Sequence, residues 1–448
     1  MSESTEPTEP TESTLSALRD AVRGEVLLPG DEGFDTAHRP WNLAIEQDVR
    51  AVVTAADAAD VAALVRYANE AGARIAVQPT GHGASGTAAG TILLRTARLD
   101  ELTIDAEDRT ARIGAGVTSG ALNIAAAAHG LVHKPGSSPT VSVAGYTLGG
   151  GVGFFARKYG MSSDHVIELE VVTADGEPRR ANAEENPDLF HALAGGGGDF
   201  AIVTALTVRL HEEPELFGGT VFWPLAQAAE VFNAFREVTA TAPAELSVWA
   251  GTVQLPGGGP AMVAVSVAYL GSESDGRALL KPLEAIGGVL SGEWRSLPLA
   301  EIAAITNDPV DPGPSVSRTE LLGRFDADVI ETLLTGPIAP LLGIQVRHLG
   351  GALTGARPGP RGPVTEQYLV YLLGLAFTPE AGAAVAAKQA ELVAALGDAV
   401  SGGRLVTFLG ATDTLADAFS EAEVERLRAV KGEWDPRGRF VASFLLGE

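Results

Sequence analysis

The chain contains no cysteine. Disulfides, thiolate catalysis, iron–sulfur clusters and thioether links to a cofactor are therefore excluded. Cations are scarce as well. Lys and Arg total 32 against 57 Asp and Glu, a net charge of −25. A surface of that sign repels nucleic acid and anionic membranes and favours solubility. No run is apolar enough to span a bilayer. The N-terminus, Met1-Ser2-Glu3-Ser4-Thr5-Glu6-Pro7, lacks the basic and apolar regions of a secretory signal. Residues 1–14 read as a disordered acidic tail, and the chain reads as cytoplasmic, with no nucleic-acid or membrane partner. No internal repeat is visible and no metal site is expected.

What is present is a long, apolar chain. Its 448 residues, 46% of them hydrophobic, exceed what one core accommodates, so two domains are expected. Ala51–Val53, Ile75–Val77, Thr91–Leu94, Leu102–Ile104 and Thr110–Ile113 read as short strands. Residues 15–24, Asp57–Ala71 and Ser119–His129 read as helices. Ile167–Thr173 and Phe200–Leu210 are further apolar strands. After Pro214 the texture changes. Val221–Trp223, Leu246–Val253, Met262–Leu270 and Tyr368–Ala376 predict an antiparallel sheet, with a hairpin loop at Pro256–Pro260. Helices at Ala226–Thr239, Arg277–Ile286, Phe325–Leu334 and Glu380–Leu396 would cover one face of it, and Glu421–Lys431 predicts a last helix.

Three glycine-rich segments precede residue 210. The run Val77-Gln78-Pro79-Thr80-Gly81-His82-Gly83-Ala84-Ser85-Gly86 follows an apolar strand. Glycines there let backbone N–H groups close around a pyrophosphate, and His82 would face whatever the pyrophosphate carries. Gly149-Gly150-Gly151-Val152-Gly153 ends a long stretch of small residues that reads as a loop. Gly195-Gly196-Gly197-Gly198 feeds a buried strand. None has the strand–glycines–helix arrangement of a dinucleotide fingerprint. Together they point to a large, phosphate-bearing cofactor.

In this order the segments resemble the flavin-binding oxidases of the vanillyl-alcohol-oxidase/p-cresol-methylhydroxylase fold, berberine-bridge-enzyme-like branch. Arg39-Pro40-Trp41-Asn42, Gln78–Gly86, Gly136–Gly151, Gly195–Val203 and Lys431-Gly432-Glu433-Trp434-Asp435-Pro436 carry the resemblance, which spans nearly the whole chain. Asp199 and Ala201 depart from the family's third glycine segment. The resemblance implies an α+β fold: a two-domain p-cresol-methylhydroxylase-type FAD-binding fold plus an antiparallel-sheet substrate domain covered by helices. The expected boundaries are 15–211 for the FAD-binding domain, 212–400 for the substrate domain, and 401–448 for a return to the first.

The resemblance further implies FAD as cofactor, bound by Trp41, Gln78, Thr80, Gly81, His82, Gly83, Ala84 and Ser85, and by Gly136, Ser137, Ser138, Val141, Ala144, Gly145, Gly149, Gly150, Gly151 and Gly153. Ile202 and Val203 complete that set. His82 falls where the family's histidine bonds the flavin 8α carbon. Ser138 stands where bicovalent members carry a second tether, a cysteine, so a single link is expected. Val141 stands where relatives use a small residue to admit oxygen, which favours O2 as acceptor. Hydride transfer from a small hydroxylated or ring-containing substrate needs a proton acceptor. The family's C-terminal tyrosine is absent, since Leu405-Val406-Thr407-Phe408 occupies its stretch. Tyr371, His348 and Arg347 are the catalytic candidates, with His133, Tyr146 and Tyr368 behind them. A dehydrogenase using another acceptor and a flavin-binding protein without catalysis are the alternatives.

Overall fold

The structure, a computed structural model, describes residues 12–255 and 259–446. Most of the expected tail (1–11) and part of the expected hairpin loop (256–258) lie outside the described residues. The first helix runs Glu12–Ala21, so it begins inside the stretch expected to be tail.

Two five-stranded sheets form the first part of the chain. One is ordered Glu25–Leu27, Ala51–Thr54, Ile92–Arg95, Ile75–Val77, Phe440–Val441, with the last three junctions parallel. The other is antiparallel and ordered Leu102–Asp105, Thr110–Gly114, Ile202–Arg209, Val166–Val172, Pro178–Asn182. The helix Ala58–Ala71 is capped by Asp57, whose carboxylate accepts from the Asp60 N–H, and it closes on Gly72 at φ 68°. Its Val61, Leu64, Val65 and Ala68 are sealed in a core shared by the two sheets.

The second part is an eight-stranded antiparallel sheet. Its central strands are Met262–Tyr269, Leu246–Val253, Leu341–His348 and Tyr368–Leu375, and Ser315–Leu322 lies at one edge. Side chains alternate across it, as a strand's pleat dictates. Leu246, Val248 and Ala250 face the helices Ala228–Ala240, Ala327–Leu334 and Pro379–Leu396, while Trp249 faces the other way. That second face looks toward the first part of the chain and meets Phe154, Phe155, Val152 and Met161.

The C-terminus is stitched into the first part. Phe440–Val441 pairs in parallel with Ile75–Ala76, and Thr87 donates to the Ala442 carbonyl at 2.7 Å. Lys431 Nζ, on the helix Glu421–Trp434, donates to Asp199 Oδ1 (2.9 Å), the Asp199 carbonyl (2.6 Å), Asp435 Oδ2 (2.8 Å) and the Phe440 carbonyl (3.0 Å). A buried carboxylate at 199 is tolerated because this ammonium meets it. Among the described residues no helix is long and apolar enough to cross a membrane, and no cluster of His, Asp or Glu is placed to hold a metal ion.

Candidate functional site

The first glycine segment leaves the strand Ile75–Val77 at Gln78, whose buried amide exchanges reciprocal hydrogen bonds with Gln47 at 3.0 and 3.1 Å. Beneath it lies Arg95, a buried guanidinium with no carboxylate. It donates to the carbonyls of Gln78 (3.0 Å), Ala37 and Arg39 (2.7 Å), and burial lowers its pKa to about 10. Gly81 sits at φ 81°, where a Cβ would approach Pro40 Cα to 2.7 Å. Only glycine lets segments 40–42 and 80–82 touch there. The Trp41 ring stacks on His82 at 4.3 Å and 16°. His82 Nδ1 lies 3.0 Å from Thr80 Oγ1 and Nε2 lies 3.2 Å from Thr140 Oγ1. Burial depresses His82 to about 4, so the imidazole is neutral at physiological pH and keeps a lone pair. Ala84 is buried, and Ser85 donates to the Ser443 carbonyl.

The second segment differs from the sequence expectation. Val143–Leu148 is a helix, not loop, with Ser142 Oγ accepting from the Gly145 N–H at 3.4 Å. Ser138 Oγ is tied to Thr140 Oγ1 at 3.0 Å. Val141 is half-buried and its carbonyl accepts from Ser119. Two of the expected ligand glycines also pack closely against protein. A Cβ on Gly153 would stand 1.9 Å from the Pro135 carbonyl oxygen, and one on Gly151 would stand 2.6 Å from the Tyr146 ring. Gly150, at φ 92°, faces Met161, and Gly149 faces Val406 and Thr407. The run therefore makes room for Tyr146. That tyrosine's hydroxyl is buried without a partner, and burial raises its pKa.

In the third segment Gly195 and Gly197 take φ 108° and 98°. Ile202 and Val203 are 1% and 5% exposed and are paired with Val172 and Val171. Their side chains belong to the core, so what they can offer a cofactor is backbone.

Across from the second segment stands the open face of the large sheet. Arg347 and Gln345, two residues apart on one strand, share that face, and Arg347 Nε donates to Gln345 Oε1 at 2.7 Å. The guanidinium carbon lies 4.0 Å from the Trp249 ring centre, 5.1 Å from Tyr371 and 5.3 Å from Phe408. Tyr371 is opposite Gln345 in the neighbouring strand and is hydrogen-bonded by Ser317. Burial raises its pKa, while Arg347 and Ser317 pull it down. Leu405 is buried, and Val406–Phe408 is a single 3₁₀ turn that brings Phe408 over Arg347.

His348 is the candidate that the structure separates from the others. It points to the helix-covered side, 5.4 Å from the Tyr368 ring, with Nε2 3.1 Å from Arg157 Nη1. Burial lowers its pKa to about 3. The pleat explains the split, because adjacent strand residues face opposite ways. Tyr368 follows it and bonds Thr239 at 2.8 Å. His133 is sealed beside Ser119 at 3.3 Å, away from Arg347 and Tyr371. Trp249, Phe408, Ser317 and Thr140 escaped the sequence reading. Strand alternation could have found Trp249 and Ser317, but no local signal marks Phe408.

The first two segments form a cradle. The N–H groups of Gly81, His82, Gly83, Ser85, Gly136, Ser137, Ser138 and Ala144 have no protein acceptor among the described residues. The His82–Thr140 contact brings the two segments together, and a Cβ on Gly145 would stand 4.0 Å from the Pro79 ring. A row of free donors around a neutral imidazole, with Gly83 open on its Cβ side, fits a flavin dinucleotide: pyrophosphate oxygens and ring carbonyls are acceptors.

Comparison with known proteins agrees. Residues 49–182 match a family model described as FAD binding domain. The chain is 38% identical over 206 residues to (R)-6-hydroxynicotine oxidase of Paenarthrobacter nicotinovorans, and this stretch covers 45% of either chain, so it spans under half the length of that relative. The crystal structure of 6-hydroxy-D-nicotine oxidase from Arthrobacter nicotinovorans superposes with a TM-score of 0.81 at 26% identity, covering 94% of this chain and 96% of that one. The wild-type berberine-bridge-enzyme-like protein 1 of Physcomitrella patens shares the fold, with a TM-score of 0.85 at 21% identity and coverage of 97% and 99%.

Proposed function

We propose that this chain, which belongs to the FAD-linked oxidoreductases of the vanillyl-alcohol-oxidase/p-cresol-methylhydroxylase fold, berberine-bridge-enzyme-like branch, oxidises a small hydroxylated or ring-containing molecule and passes the electrons to O2. The observation that carries this reading is the cradle itself: two rows of unsatisfied N–H donors meet at a neutral His82, opposite a sheet face that carries Tyr371 and Arg347. When bound, FAD supplies the hydride acceptor, N5.

The protein groups have separable tasks. Thr80 and Thr140 hold the His82 ring from both nitrogens and Trp41 covers its face, which orients a neutral nucleophile for one covalent tether to the cofactor. Ser138 bonds Thr140 instead of offering a thiolate, so the tether is single. Tyr371 receives the proton of the substrate's O–H or N–H group as the C–H hydrogen leaves with its electron pair as hydride. Arg347, over its ring, stabilises the phenolate that can do so. Val141 at the edge of the second segment supports O2 as acceptor. A dehydrogenase of the same fold is the competing reading.

The test is to mix the flavin-loaded protein anaerobically with a panel of sugars, phenols, alkaloid-like amines and polyketide alcohols, and then admit air. Substrate-driven bleaching followed by rapid recolouring supports an oxidase. Bleaching without recolouring makes it a dehydrogenase. No bleaching by any class counts against catalysis.

A further inference from the structure

The guanidinium of Arg347 is a cation whose charge nothing nearby neutralises. The rings of Trp249, Tyr371 and Phe408 lie 4.0, 5.1 and 5.3 Å from its central carbon, and Trp249 is itself backed by Phe154, stacked at 4.1 Å and 12°. One of its five N–H donors is used, on Gln345. The terminal nitrogens have no acceptor among the described residues, and they are not sealed from solvent.

Three other deeply placed arginines differ, whereas Arg361 is likewise buried at Nε without a partner among the described residues. Arg157 donates to the carbonyls of Leu246, Leu349, Ala242 and Pro243. Arg95 is satisfied by backbone carbonyls, and Arg357 pairs with Asp164. Among the described residues no carboxylate lies within ion-pair distance of Arg347. Asp308 acts on it only from further off, and the remaining ionisable groups that it feels are Tyr146 and Tyr371. A partly buried cation without a counter-charge is costly. Tyr146, at the second glycine segment, feels that charge in turn.

We propose that Arg347 is the anchor for a carboxylate on the substrate, so that the substrate class is an aromatic or conjugated acid. A planar fork with two parallel free N–H donors matches a carboxylate edge-on. The three aromatic rings around it suit a flat acid better than a tetrahedral phosphate. The inference rests on the flavoenzyme reading above and narrows its substrate. Gln345 is a positioning residue, since it fixes the guanidinium through Nε.

Benzoate is the probe, and its uncharged isostere benzamide the control. Each is titrated into FAD-loaded protein, followed by the flavin difference spectrum and by calorimetry. Benzoate should bind saturably and at least about tenfold more tightly than benzamide. Arg347→Met should weaken benzoate by about tenfold to a hundredfold and leave benzamide unchanged. Arg347→Lys, which keeps the charge but loses the fork, should fall between. Should Arg347→Met fail to fold, Arg347→Lys and the wild-type preference decide. Equal affinity for the two probes, or benzoate binding indifferent to both variants, would overturn the proposal. Protein that takes up no FAD would instead count against the flavoenzyme reading, and its failure is thereby distinguishable.

Discussion

Replacing Arg347 with glutamine removes a positive charge centred 5.1 Å from the Tyr371 ring. At an effective dielectric of ~20, a unit charge at that separation is worth about 3 kcal/mol to a phenolate, or about two pKa units. Burial already raises the Tyr371 pKa and Arg347 opposes that rise, so its loss moves the phenol further up. The base acts as phenolate. Below its pKa, the active fraction grows tenfold with each pH unit. Flavin reduction by an uncharged substrate should therefore climb with pH in the native protein. Arg347→Gln should be slower by about a hundredfold at neutral pH but climb with the same slope, its profile displaced to higher pH. Tyr371→Phe should lose about 10²–10⁴ in rate and the slope as well. Anaerobic stopped-flow between pH 6 and 10 measures all three. A uniform loss in Arg347→Gln without displacement, or an intact slope in Tyr371→Phe, would refute the assignment of Tyr371 as base.

Ser138→Cys places a thiol where Ser138 now bonds Thr140. The variant should gain a second covalent flavin link, read as a doubly linked flavin peptide, and a higher reduction potential. Gly153→Ala drives a methyl into the Pro135 carbonyl, so it should destabilise the protein by about 1–3 kcal/mol or more in thermal unfolding and weaken flavin retention. Burial holds His82 and His165 at about 4 and His133 and His348 at about 3. The unfolded chain takes up those protons near pH 6.5. Stability that is full above pH 6.5 should therefore fall as the pH drops toward 4, by up to about 1.4 kcal/mol per pH unit for each ring. A denaturation midpoint that stays constant from pH 7 to 4.5 would contradict this.

Much of the fold was legible because local rules and tertiary packing agree. Asp57 and Gly72 frame a helix whose apolar face is the one buried. Leu246–Val253 alternates as a sheet with one helix-covered face must. The helix Val143–Leu148 was missed because its small residues carry no amphipathic signal, and its only mark is a serine cap. At the site, the separation of His348 from Arg347 follows from adjacency on a strand. What sits around Arg347 does not. Trp249, Tyr371 and Phe408 come from segments more than a hundred residues apart at the extremes, and the last lies in a short 3₁₀ turn with no periodic signal. Gly151 and Gly153 look like ligand glycines in sequence, and only the positions of Tyr146 and Pro135 reveal that close packing also requires glycine there.

The central claim is that His82 is the single covalent anchor of a flavin. The direct measurement is acid precipitation of the purified protein, followed by mass analysis of the peptide that contains His82. A yellow pellet, one flavin adduct on His82 and none on the 136–145 segment, and a colourless pellet from His82→Ala, is the expected result. A colourless pellet from native protein loaded with FAD, or an adduct on any other residue, would contradict the account.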